Sequence, residues 1–357
     1  MNLLFVTEAP GWSGGTNQML LTARELSKRG HKVVTVCPEG SVLAERAGKA
    51  GLPVHLLRVR QDYDVPAALK IKALARELGA QVLHAHHPRA HAVCLIARAL
   101  GCPVPLAVTR RVIFPIRLNP FSALKYRAPL IDRYIAVCEA AALELEKAGV
   151  ARERIRVIPS AVELSRWEEA RARRDAKPPE GPPRIGLIGH YAPFKGHQVL
   201  LRAAKDILQA FPGARFVLAG RGTEQLRPLA EELGVLSQVD ILGERSDVPD
   251  ILAGLHLFAM PSLQEGIATA LMEAQTAGLP AVASRVGGIP DVLLDGETGL
   301  LVPPDDPGAL AKAIVRVLQD KTLAEGFVHK GAERVKKLFA LPVVADRLEA
   351  AYAELVS

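Results

Sequence analysis

No stretch of this 357-residue chain holds the roughly 18 consecutive apolar residues that a membrane-spanning helix needs. The opening, MNLLFVTEAPGW, has no basic segment ahead of its apolar run, so it reads as a strand and not as a secretory signal. Cysteine is scarce. Cys37, Cys94, Cys102 and Cys138 are scattered, with no Cys-x-x-Cys pair, and read as buried thiols of a reducing cytoplasm. The glycine-rich loop after the first strand lacks the Gly-x-Gly-x-x-Gly spacing, which disfavours a nicotinamide cofactor. Only Glu168 to Pro183, EEARARRDAKPPEGPP, has the polar, proline-rich composition of a linker.

What is present suits an ordinary globular protein. Hydrophobic residues make up 49% and charged residues 23%, and the length fits two domains. The net charge of +7 serves solubility, or attraction to an anionic substrate or membrane surface.

The N-terminal half opens as strand (Asn2 to Thr7), loop with Gly14-Gly15, helix (Met19 to Arg29) and strand (Lys32 to Cys37). That order is Rossmann-like. His84-Ala85-His86-His87-Pro88 ends a later strand. With His91 these suggest zinc, but no Cys or carboxylate nearby completes a ligand set, so no metal is expected. His86 is placed in a ligand cleft, with His84 directed to the opposite face of the strand and His87 kept as an alternative. Beyond Thr109 the chain interleaves Arg110, Arg111, Arg117, Lys125 and Arg127 with Phe114, Phe121 and Tyr126. That mixture reads as an ordinary loop and helix, or as a surface for a phosphorylated or lipid-linked acceptor at an anionic membrane.

From Arg184 the pattern restarts: strand, Gly189 loop, helix from about His197, strand to Ala219. Further on, the apolar run Leu255 to Met260 reads as a buried strand, followed by a loop with Glu265 and Gly266. Ile267 to Ala277 reads as a helix of good helix formers, stopped by Gly278 and Pro280. Open parallel sheets bind ligands at such strand ends. Free N–H groups and the dipole at this helix start, Gly266, Ile267, Ala268 and Thr269, suit a phosphate. Glu273 lies roughly 9 Å along the axis from Ile267. A nucleotide diphosphate sugar fits, with its ribose beside Glu273 and its sugar beside Glu265.

Glu265-x7-Glu273, then AGLPAVAS, VGGIPD and DGETGLLVPPDD, together with the Lys195-Gly196 pair in GHYAPFKGH, resembles the retaining GT-B glycosyltransferases of family 4. The resemblance runs over nearly the whole chain. It implies two Rossmann-like domains facing across a cleft: an acceptor-side domain at 1–167, a linker at 168–183 and a nucleotide-sugar domain at 184–338. A final helix within 339–357 is implied to return to the N-terminal domain. It implies that Gly14 and Gly15 bring N–H groups to the donor diphosphate, that His86 lies near the transferred sugar, and that Lys195 clamps the diphosphate. Arg is usual where His190 stands, so Arg221 is the alternative phosphate contact. The backbone at Leu242-Gly243 is implied to receive the base.

The implied activity is metal-independent transfer of a hexose from a UDP-sugar, with retention, to a hydroxyl of a glycan or lipid-linked acceptor in cell-envelope or lipopolysaccharide synthesis. No cofactor and no nucleic-acid partner are expected, and the location is cytoplasmic, peripheral on the inner membrane face. Two other classes stay open: a nucleotide-sugar epimerase of the same architecture and a non-catalytic nucleotide-sugar-binding protein.

Overall fold

The computed structural model describes residues 1–116 and 120–356, and of Pro120, Phe121, Ala123 and Leu124 the backbone alone. Arg117, in the expected acceptor segment, lies outside the described residues. The chain forms two compact units, one of residues 1–161 with 341–357 and the other of residues 162–340.

The first unit is built on seven strands: β1 (Asn2–Val6), β2 (Lys32–Cys37), β3 (Val54–Leu56), β4 (Val82–Ala85), β5 (Leu106–Arg110), β6 (Arg133–Ala136) and β7 (Ile155–Val157). All pairings are parallel, in the order β3-β2-β1-β4-β5-β6-β7. The strands are rich in Val, Leu, Ile and Ala because both faces of such a sheet are covered by helices. Successive connections run to one side of β1 and then, from β4, to the other. The ends of β1 and β4 are therefore a topological switch point, where sheets of this kind bind ligands.

The second unit repeats the plan with β8 (Arg184–Ile188), β9 (Arg215–Ala219), β10 (Val239–Gly243), β11 (Leu257–Met260), β12 (Ala281–Ser284) and β13 (Leu300–Val302), ordered β10-β9-β8-β11-β12-β13. Its switch point lies at the ends of β8 and β11. The two Rossmann-like sheets expected from the sequence are present.

The C-terminal helix, Leu341–Val356, belongs to the first unit. Leu341, Val344, Leu348 and Tyr352 share a core with Leu3, Phe5 and Met19. Arg29 fixes it from outside, donating to Asp346 and Glu349 at 2.6 Å each.

Two expectations differ from the structure. Much of the stretch read as a linker is helix, Leu164–Ala176, with Trp167 and Ala170 buried in the core of the second unit. Its polar outer face hid two apolar anchors. The first helix begins at Gly14, five residues before the expected Met19, because Ser13 and Thr16 form a reciprocal capping box. All four cysteines are buried and none forms a disulfide, as expected.

Candidate functional site

In the second unit, four loops converge at the carboxyl ends of β8, β9, β10 and β11. Backbone hydrogen bonds tie three of them: Gly189 N–H to Ala219 O at 2.8 Å, Tyr191 N–H to Arg221 O at 2.8 Å and Gly220 N–H to Gly243 O at 2.7 Å. The fourth joins through Leu263 N–H, which donates to Phe194 O at 2.7 Å. Gly196 follows with φ +74°, and a Cβ there would overlap the Pro261 carbonyl oxygen. Only glycine allows the two backbones to approach so closely in the left-handed region. Gly196 is legible in the sequence as the neighbour of Lys195, but its steric reason is visible only when β8 and β11 are side by side.

This approach brings Lys195 onto Glu265. Their side chains, 17% and 10% exposed, form an ion pair with Nζ 2.6 Å from Oε2. The Glu265 carbonyl also accepts from Gly288 N–H at 3.1 Å, which anchors the Val286-Gly287-Gly288 turn to the same loop. Two positions read as phosphate and sugar contacts are thus direct partners of each other.

The helix after this loop spans Thr269–Thr276, two residues later at its start than expected. Its N-cap residue is Ala268, which has no side-chain oxygen to accept from the first turn. Thr269 N–H donates to Ile267 O at 3.0 Å and Leu271 N–H to Ala268 O at 3.1 Å, so among the described residues the first turn leaves Ala270 N–H for water or a ligand. Gly266 and Ile267 form the approach to this end and are partly exposed. Glu273 stands four residues into the helix, about 6 Å along the axis from Thr269. Burial raises its pKa to about 7, with Arg166 opposing the shift. A carboxyl group held near neutrality is one that desolvation has prepared for a hydroxyl partner or a proton.

His190 is half-buried, and its pKa is lowered by burial, then by Lys195 and Arg221. All three basic residues therefore lie near one another. Gly243 has φ +66°, and Leu242 beside it is 36% exposed. An exposed leucine at the end of a strand gives a flat apolar surface of the kind a base can lie on.

The first unit holds a separate set. Gly14 and Gly15 sit in the first turn of their helix, and a Cβ on Gly15 would come 2.9 Å from His87 Nε2 and 3.4 Å from Arg111 Cδ. His86 is buried, with neither ring nitrogen partnered among the described residues, and burial holds its pKa well below the usual value. His84 is not on the opposite face: the two rings are 4.0 Å apart. Residues i and i+2 of a strand share a face. His84 is held by Tyr352 OH at Nδ1 and Thr109 Oγ1 at Nε2, both at 2.6 Å, so the C-terminal helix buttresses the histidine stack. The partners Thr109 and Tyr352 escaped sequence reading because no local pattern joins residues so far apart.

Of the basic segment, Val112, Phe114 and Arg127 are exposed and Arg110 is not. Arg110 ends β5 and is 8% exposed. Lys125 donates to Pro88 O at 2.6 Å, and Arg127 donates to Ala148 O at 2.7 Å, closing the C-terminus of another helix. Among the described residues no cluster of three metal-ligating side chains occurs, and no helix is long and apolar enough to cross a membrane.

Comparison with known proteins agrees with this geometry. A family model described as Glycosyltransferase Family 4 matches residues 12–166, and one described as Glycosyl transferases group 1 matches residues 182–320. The phosphatidyl-myo-inositol mannosyltransferase of Mycolicibacterium smegmatis is 28% identical over 92% of this chain and 87% of its own length. The protein of the same name from Mycobacterium leprae is 28% identical over 97% of this chain and 93% of its own. Among solved structures, Anabaena Alr3699/HepE in complex with UDP has a TM-score of 0.86 at 19% identity, covering 99% of this chain and 100% of that one. A glycosyltransferase from Rickettsia africae has a TM-score of 0.88 at 18% identity, covering 100% and 98%. These structural likenesses establish the fold.

Proposed function

Since the chain belongs to glycosyltransferase family 4, among the group 1 glycosyl transferases that use nucleotide-sugar donors, we propose that it moves a hexose from a UDP-sugar to a hydroxyl of a glycan or lipid-linked acceptor, with retention. The observation that carries the reading is the Lys195–Glu265 pair at the switch point of the second sheet, beside a helix start with no side-chain cap and Glu273 one turn inside it. A donor diphosphate draws Lys195 toward itself and frees Glu265 for sugar hydroxyls. Leaving-group charge is then met by Lys195 and the helix N–H groups. A retaining enzyme with a carboxylate nucleophile needs two carboxyl groups about 5 Å apart around the scissile bond. Glu265 and Glu273 are both assigned to hydroxyls, so front-face attack is proposed, with the departing diphosphate taking the acceptor proton.

UDP is the proposed carrier because a structural neighbour is described with UDP bound. A lipid-linked or phosphorylated acceptor in cell-envelope synthesis, met at the cytoplasmic membrane face, is supported by the phosphatidylinositol-directed name of the mycobacterial relatives. Incubation with a panel of UDP-sugars tests the reading. Release of UDP with an acceptor glycosylated in the donor's anomeric configuration is expected. Free nucleotide with a 2-epimerised sugar, or binding with no turnover, favours the other two classes.

Glu273→Ala should weaken UDP binding by about 10- to 100-fold, the loss of charge-assisted hydrogen bonds worth roughly 1.5–3 kcal/mol. Because the free carboxyl titrates at about 7, ribose hydroxyls that donate to the carboxylate favour its ionised form, and wild-type affinity gains a component that rises through pH 7. Fold stability without donor shows the opposite trend. A carboxyl raised above its unfolded value adds stability below about pH 4.5 that fades as pH climbs to about 7. Calorimetry of UDP binding against pH, with thermal unfolding over the same range, checks both. An unchanged affinity in Glu273→Ala removes Glu273 from the donor site.

His190 gives the reverse slope. Its depressed pKa leaves it neutral at pH 7 before donor binds. A diphosphate beside it favours the protonated ring, so binding takes up a proton and strengthens as pH falls, levelling below the free pKa. His190→Arg should supply a permanent charge and leave only the component rising through pH 7. If the acid-side slope survives in His190→Arg, Arg221 and Lys195 hold the diphosphate without it.

A further inference from the structure

At the carboxyl ends of β4 and β5 the first unit encloses a cavity of about 300 Å³, lined among others by Gly15, His87, His91, Arg110, Arg111 and Tyr126. That volume is at the lower limit of small-molecule sites. Its chemistry is unusual. Arg110 is 8% exposed, donates to Tyr126 OH at 3.2 Å and to the Phe114 carbonyl, and its Nε is shut off from solvent with no acceptor among the described residues. Arg111 has the same orphaned Nε, and its guanidinium donates to Ser160 Oγ at 3.4 Å. Among the described residues no carboxylate forms an ion pair with either arginine. Burying a cation without a counter-charge costs several kcal/mol.

The surroundings do not offset that cost. The nearby carboxylate Glu8 already accepts from Arg89 and Ala90 N–H at 3.1 and 2.9 Å, at the start of the Pro88–Ala99 helix. Lys125, beside His91, has its Nζ on Pro88 O and is paired with Asp62 at 3.3 Å, so Asp62 balances Lys125 and not the arginines. The 15-residue helix that begins at Gly14 presents its first turn here, with the positive end of its dipole. His87 is held by Thr7 Oγ1 at Nδ1, 2.7 Å away. Arg110, Arg111 and a helix start around one cavity match a doubly charged tetrahedral anion better than a carboxylate, because they offer donors from several directions to three oxygens.

We propose that this cavity binds a phosphomonoester group of the acceptor, which makes the acceptor a phosphorylated sugar or polyol. The inference rests on the glycosyltransferase reading for the word acceptor, while the phosphate site itself stands on the residues. A phosphoryl group could also come from the donor, and the test separates these sources.

The experiment is a phosphorus NMR titration of the full chain with methyl phosphate, alone and with saturating UDP, and with dimethyl phosphate as the diester control. Saturable methyl phosphate binding is expected in both conditions, at least about tenfold tighter than dimethyl phosphate. Arg110→Gln and Arg111→Gln should each weaken it by about tenfold or more, the size of one charged hydrogen bond. Their UDP affinity should change less than twofold. Absence of saturable binding to the wild type overturns the proposal. Displacement of methyl phosphate by UDP also overturns it, and gives the cavity to the donor. Equal binding of the diester overturns the monoester assignment. Should a variant fail to fold by circular dichroism, the wild-type competition with UDP still decides. If methyl phosphate binds and UDP does not, the donor reading fails and the cavity survives.

Discussion

Lys195→Ala is expected to lower the turnover of the nucleotide sugar by about 100- to 1000-fold, the usual effect of removing one donor aimed at developing negative charge. The lysine is held at the approach to the uncapped helix start, and its present partner is a carboxylate that the donor must displace. A complication is that the substitution also strands Glu265, whose side chain is 10% exposed. A buried carboxylate left without its partner costs stability of its own. Lys195→Ala combined with Glu265→Gln removes that cost and separates it from catalysis. Folding should recover in the pair and turnover should not. If the double variant regains turnover, Lys195 served to neutralise Glu265 and not the leaving group. The readout is UDP release, with thermal unfolding measured in parallel.

Gly196→Ala is expected to abolish donor binding and to destabilise the second unit by roughly 2–4 kcal/mol, the cost of a strained φ combined with overpacking. Two independent constraints meet there: φ +74° and the Pro261 carbonyl in the place of a Cβ. Relief requires the 193–196 turn to leave the 261–265 loop, which breaks the Leu263 N–H to Phe194 O bond and parts Lys195 from Glu265. Gly14→Ala is the control. It has open space around a Cβ and lies in a helix, so the same added methyl should leave the fold intact. Denaturant titration of both variants checks the contrast. A stability loss below about 0.5 kcal/mol in Gly196→Ala means that the loops reopen at no cost and that the close approach is incidental.

The repeated strand–loop–helix plan is legible in the sequence because hydrophobic runs and glycine or proline stops are local signals. Lys195 and Glu265 stand out as positions on two such loops, and Glu273 as a position in the helix that follows the second. That Lys195 and Glu265 touch is not readable, since they are 70 residues apart and meet only through the pairing of β8 with β11. The polar 168–183 stretch misleads for the opposite reason: its composition describes the outer face of a helix that begins earlier, at Leu164, and is anchored by Trp167 just ahead of the stretch and Ala170 within it. The arginines of the acceptor segment also read as surface. Composition reports charge, and only the end of β5 shows that Arg110 is enclosed. His84 and His86 are assigned to opposite faces only if the strand period is miscounted, and the stacked rings correct that.

On the reading proposed above, a nucleoside diphosphate is held by its phosphates at the switch point of the second sheet, between Lys195 and the helix that starts at Thr269. Calorimetric affinities of uridine, UMP and UDP for the wild type and for Lys195→Ala test it most directly. The expected result is a steep ladder in the wild type, with UDP at least about 100-fold tighter than uridine, and a ladder flattened about tenfold or more in the variant. Equal affinities for uridine and UDP, or the same ladder in both proteins, would contradict it.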